Sequence, residues 1–164
     1  MPNKELVINT TPLLSILAGL GKLEVLPFLY SKVHVPFEVC QEVLAGGRNG
    51  FGVNIFIQDN WLIKNIQPIN ISPLLKNSLD LGEASVIELA LQRGISLVCI
   101  DEMVGRRVAR LSGLELTGTI GVLLKAKQKG YPILIHETLE KMRSHGIWLS
   151  DKVIHFALEQ SGEL

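Results

Sequence analysis

Leu81-Gly82-Glu83-Ala84-Ser85-Val86-Ile87-Glu88-Leu89-Ala90 runs on through Arg93-Gly94 into Ser96-Leu97-Val98-Cys99-Ile100-Asp101-Glu102, and the reading of this stretch decides the fold. Val86, Ile87, Leu89, Ala90 and Leu91 fall at mixed three- and four-residue spacings, which predicts a helix buried along one broad stripe. Gly94 stops it. The apolar run from Leu97 to Ile100 shows no alternation, the pattern of a strand covered on both faces in a parallel sheet. Two acids bracket the unit. Glu83 falls in the helix's first turn, and Asp101 follows the strand's last apolar residue, where open α/β sheets place their ligands. Each also has a plainer reading: Glu83 as a complement to the helix dipole, Asp101 as a cap on the next helix. A second polar residue at a strand end, Asn9 in Val7-Ile8-Asn9-Thr10-Thr11-Pro12, shifts the balance toward a site.

Working outward, Leu6 to Ile8 reads as the first strand, with Thr10 or Thr11 and Pro12 as a helix start in which a hydroxyl caps free amides. Leu13 to Leu20 and Leu23 to Tyr30 are helical pieces, and Val33 to Val35 is a strand. Pro36 then opens a helix carrying Glu38, Gln41 and Glu42. Val39 and Val43 face the core; Glu42 falls either at the edge of that face or on a solvated one, and Glu38 is expected on a solvated one. The stretch from Gly46 to Gly52 is glycine-rich without the placement of a phosphate-binding loop, and reads as a mobile connection. Val53 to Asn60 is expected as helix, Trp61 to Ile66 as strand, and Pro68 to Ser78 as a connection with at most a short helix. A helix over Glu102 to Leu111, a strand at Leu114 to Leu116 and a helix from Thr117-Gly118-Thr119 to Lys129 follow. The tail, about 132–164, gives helices at Glu137 to Ser144 and Asp151 to Glu159.

Strands therefore alternate with helices, which predicts an α/β fold: three layers, α/β/α, around a central, mostly parallel sheet with right-handed crossovers. With 164 residues, a single domain spanning 1–164 is expected. Nearly half the residues are apolar and the formal net charge is zero, which excludes a disordered chain and a globally basic nucleic-acid binder. Cys40 and Cys99 lie in apolar surroundings without metal-binding spacing, as reduced, buried thiols of a cytoplasmic protein do. No apolar run approaches membrane-spanning length, and no signal-peptide pattern opens the chain. His34, His136, His145 and His155 lack HxxxH spacing, which argues against zinc, and no serine sits in a GxSxG elbow.

Five short motifs in order carry a resemblance. They are Val7 to Leu13; Val35-Pro36 through Glu42-Val43; Leu81-Gly82-Glu83 with Ile87 to Ala90; Ile100-Asp101-Glu102 with Gly105-Arg106 and Ala109; and Thr117-Gly118-Thr119-Ile120-Gly121. The arrangement resembles the PIN-domain superfamily, and within it the small prokaryotic proteins related to VapC toxin ribonucleases. That resemblance implies a Mg²⁺- or Mn²⁺-dependent nuclease acting on single-stranded RNA, often a homodimer held by an antitoxin partner. Carried over by position, the metal and catalytic set is Asn9, Glu42, Glu83 and Asp101. Thr10, Thr119, Arg106 and Arg107 are the expected substrate contacts, with a solvated face pairing Glu102 to Arg106 as the alternative for the arginines. Oxygen-only donors suit such ions.

Asn9 departs from the pattern, since the family usually carries aspartate there. The amide keeps one oxygen for a cation but gives up a charge worth roughly a few kcal/mol at an effective dielectric near 20. The resemblance thus allows either an attenuated ribonuclease or a catalytically silent module that binds RNA or an antitoxin. A generic ligand-binding domain of flavodoxin or response-regulator type is the third expectation.

Overall fold

A computed structural model describes residues 2–46 and 52–164. The expected glycine-rich connection therefore lies, apart from Gly46 and Gly52, outside the described residues. Five parallel strands form one sheet in the order β3-β2-β1-β4-β5: β1 (Glu5–Ile8), β2 (Lys32–Val35), β3 (Ile63–Lys64), β4 (Leu97–Cys99) and β5 (Glu115–Thr117). β1 pairs with β2 through Leu6 and Val33 and with β4 through Ile8 and Cys99. Leu6, Val7, Ile8, Val98 and Cys99 are all fully buried, so consecutive side chains on both sheet faces are covered. That requires helices on each face, the three-layer arrangement expected from the unbroken apolar runs.

The helices on the first half are α1 (Thr10–Leu20), α2 (Val25–Leu29), α3 (Phe37–Ala45), α4 (Val53–Gln58) and α5 (Pro73–Ser78). The second half holds α6 (Leu81–Arg93), α7 (Met103–Leu111), α8 (Thr119–Gln128), α9 (Ile135–Ser144) and α10 (Asp151–Ser161). α6 realises the opening stretch: Asp80 caps it by accepting the Glu83 N–H at 2.8 Å, and Gly94 closes it in the left-handed conformation at φ 66°. Val86, Ile87, Leu89 and Ala90 fill the main core with the strand residues. Ala18, Leu123, Ile135, Leu139, Met142 and Ala157 form a second, smaller core in which α9 and α10 close against α1 and α8. The tail thus completes the interior, while Trp148 and Phe156 stay exposed.

Three expectations change. The edge strand β3 has two paired residues rather than six, because only Ile63 and Lys64 reach β2. Glu38 is buried, not solvated, and accepts the Ile69 N–H at 3.3 Å. No hydroxyl caps α1: its N-cap is Asn9, without a side-chain bond, and the Thr10 hydroxyl turns instead to Glu42. Cys40 and Cys99 are free and buried, and no described helix is long and apolar enough to cross a membrane.

The strand order reverses between β1 and β4. β1 leads outward to β2 and β3, whereas β4 leads the other way to β5. At such a switch point the two crossovers leave from opposite sides and open a crevice at the carboxyl ends of the strands. This order differs from the 2-1-3-4-5 order of flavodoxin-like sheets, which removes the flavodoxin and response-regulator expectation.

Candidate active site

β1 ends at Ile8 and β4 at Cys99, so Asn9 and Asp101 emerge side by side at the crevice; the Asn9 N–H donates to the Cys99 carbonyl at 3.0 Å. Asn9 is 5% exposed, and its Oδ1 has no hydrogen-bond partner. Glu42 comes from the exposed side of α3, but its carboxylate bends inward. The Thr10 hydroxyl donates to its Oε2 at 3.0 Å, and Oε1 lies against the Cα of Gly82, where a Cβ would collide with it and stand 3.2 Å from Asn9 Oδ1. Gly82 is therefore the space in which Asn9 and Glu42 meet. Loss of water around the Glu42 carboxyl raises its pKa above the ordinary range; the Thr10 bond opposes this and the charge of Asp80 adds to it.

Glu83, one residue on, is also 5% exposed, and its Oε2 likewise lacks a partner. It packs toward α7, where a Cβ on Gly105 would stand 2.8 Å from that oxygen. Burial pushes its carboxyl up to about 7, and the charges of Asp80 and then Glu102 push the same way. Asp80 and Glu102 thus belong to this acidic neighbourhood, and neither stood among the expected site residues. Asp80 was readable, because an acid three residues before Glu83 is the spacing of a capped helix start.

Asp101 is held differently. Its Oδ1 accepts the Thr119 N–H at 2.8 Å and its Oδ2 the Thr119 hydroxyl at 2.6 Å, so both oxygens sit at the N-terminus of α8. It does cap a helix, though the one after β5 rather than the one that follows it in sequence. Gly118 makes room: a Cβ there would stand 2.7 Å from Asp101 Oδ1 and 2.9 Å from Arg106 Nη1. Arg106 spends that nitrogen on the carbonyls of Ile100 at 2.8 Å and Thr117 at 3.2 Å, tying the ends of β4 and β5 together. It makes no ion pair with Glu102. Arg107 is exposed on α7.

The crevice therefore joins Asn9 to Glu42 over Gly82, sets Glu83 beside Asp80 on the α7 side, and draws Asp101 toward α8. Among the described residues, no three His, Cys, Asp or Glu side chains close around a point where a metal ion would sit. A family model described as PIN domain matches residues 5–163. The chain belongs to the PIN-domain family. No curated protein and no solved structure matches it. PIN domains are a nuclease-type fold, generally dependent on divalent metal and commonly binding RNA. The donor chemistry of this PIN domain fits such an ion: Asn9, Glu42, Glu83 and Asp101 all present hard oxygens, and two of these, the buried Asn9 Oδ1 and Glu83 Oε2, have no hydrogen-bond partner.

Proposed function

We propose that this PIN domain is a Mg²⁺- or Mn²⁺-dependent endoribonuclease of the VapC toxin kind, acting on single-stranded RNA, with Asn9, Glu42, Glu83 and Asp101 as the metal-binding and catalytic set. The observation that carries the proposal is the pair of orphaned buried oxygens on Asn9 and Glu83 at the switch-point crevice. Leaving such acceptors dry and unbonded costs about 1–3 kcal/mol each, a cost that a cation would remove. A divalent ion bound there supplies an activated water and neutralises charge on the leaving oxygen. The chain's own groups set the stage. Thr10 fixes the rotamer of Glu42, Thr119 fixes both oxygens of Asp101, and Glu83, whose carboxyl pKa is raised by burial, would hold a cation in its deprotonated form. With Arg106 Nη1 committed to the strand ends, the exposed Arg107 is the freer of the two for a substrate phosphate. The same proposal includes an antitoxin partner, a homodimer and a cytoplasmic setting.

A second reading, the silent RNA- or antitoxin-binding module, is favoured by Asn9, which brings no charge, and by Asp101, both of whose oxygens already have donors. Cleavage of a mixed single-stranded RNA pool with Mg²⁺ or Mn²⁺ separates the two. We expect the parent to cleave slowly, Asn9→Asp to cleave at least about tenfold faster, the equivalent of 1.4 kcal/mol in barrier, and Asp101→Asn to be inactive. If none of the three cleaves, the silent module replaces the enzyme.

A further inference from the structure

A groove of about 750 Å³ starts at the crevice with Asp101, Arg106 and Thr119 and runs along α8 to the tail, where Trp148 and Phe156 form its far wall. Trp148 is 83% exposed and Phe156 53%. Neither ring completes the interior, because the second core closes through Ile135, Leu139, Met142 and Ala157. A second cleft of about 490 Å³ shares Ile147, Trp148, Leu149 and Ser150 with the groove and is bordered by Arg143. Arg143 pairs with Glu140 at 3.4 Å, but both side chains are about half exposed, at 49% and 56%. An ion pair of that kind contributes little and exchanges readily for another anion. The two clefts together are thus bordered by the crevice end, a broad exposed indole and a guanidinium.

Single-stranded nucleic acid offers partners for both kinds of group, charged phosphates along its backbone and flat pendant bases that stack on aromatic rings whatever their sequence. We propose that Trp148 is a stacking platform for a base of single-stranded RNA next to the scissile phosphate, with Arg143 receiving the phosphate beyond it. The inference rests on the ribonuclease reading for the identity of the strand. It adds residues that touch substrate away from the acids and that set how RNA is threaded rather than how it is cut.

The test uses the full chain in EDTA, so that nothing is cleaved. The probes are a 12-nucleotide mixed-sequence RNA and a ribose-phosphate strand of equal length without bases. Binding is read by anisotropy and by tryptophan emission, with Trp61→Phe leaving Trp148 as the reporter. Base-bearing RNA is expected to quench Trp148 and the abasic strand is not. Trp148→Ala is expected to weaken binding of the base-bearing RNA by about tenfold or more, the loss of one stacked base. Trp148→Phe should restore most of it, and the abasic strand should bind parent and Trp148→Ala alike. Because Trp148 is exposed, the variants should keep the parent's circular dichroism.

Equal binding by parent and Trp148→Ala, or emission unmoved at millimolar RNA, overturns the platform. So does sedimentation showing a dimer that Trp148→Ala dissolves, since the groove would then be a face between copies. Cleavage assays on the same variants keep the two readings apart. Quenching without any metal-dependent cleavage leaves the platform standing and removes the nuclease; cleavage with Trp148→Ala unaltered in binding and KM does the reverse.

Discussion

At the scale of single residues, three glycines do as much for the crevice as the acids. Gly82, Gly105 and Gly118 each leave the space into which Glu42, Glu83 or Asp101 turns. The price of this closeness falls on Glu83, whose buried carboxyl titrates near 7 instead of 4.5. A group that binds its proton more tightly folded than unfolded adds stability that is full below about 4.5 and is lost as pH rises through about 7. In EDTA, the urea midpoint should therefore fall between pH 5 and 8. Glu83→Gln, which needs no proton to stay neutral, should flatten that fall and exceed the parent at pH 8. Superimposable pH profiles for parent and variant would show that Glu83 ionises without cost. The placement of Asp101 and Asn9 at strand ends was legible because each closely follows an apolar run, and that of Glu83 because it falls in the first turn of a helix whose apolar stripe is plain. Glu102 was not, since its effect on Glu83 arises only when α7 packs beside α6.

At the scale of elements, legibility followed the range of the interactions that start and stop each one. α6 carries its own signals, an acid at the N-cap and a glycine at the end, and its bounds follow from them. α9 begins at Ile135, two residues before the expected Glu137, and nothing local explains it, since its N-cap is Leu134. The cap comes from 28 positions away: Glu163 accepts the Ile135 N–H at 2.6 Å and the His136 N–H at 2.9 Å, and pairs with Lys127 at 2.5 Å. Burial alone would raise the Glu163 pKa, but the His136 amide, the Lys127 ammonium and the Ile135 amide outweigh it and hold it below the ordinary range. Its contribution is then present above the unfolded carboxylate's pKa and lost as pH falls through the folded one. Glu163→Gln should cost about 1 kcal/mol at pH 7, the scale of a lost helix cap, and much less at pH 3.5. Urea melts at the two pH values decide it; an equal loss at both would mean that the carboxylate's charge plays no part.

At the scale of the whole molecule, the architecture roots the proposed cutting site and the proposed threading groove in different cores. The acids hang from β1, β4, α3 and α6, all rooted in the main core, whereas the wall carrying Trp148 and Phe156 is rooted in the second. Nothing in the linear pattern distinguishes these two cores, because Ile135, Leu139 and Met142 show the same helical spacing that a main-core helix would. Only the assembled contacts of α9 with α1 and of α10 with α8 and α9 separate them. A smaller core with fewer buried side chains is the unit expected to open first. Leu139, 1% exposed, is its centre, and Leu139→Ala should destabilise by about 2–5 kcal/mol through the cavity it leaves. That loss should fall unevenly. Amide exchange in α9 and α10 should accelerate while the amides of β1 and β4 keep their protection, and RNA affinity should drop. Exchange accelerating equally in α9, α10, β1 and β4 would mean that the two cores open as one, and the division between cutting and threading would have no physical basis.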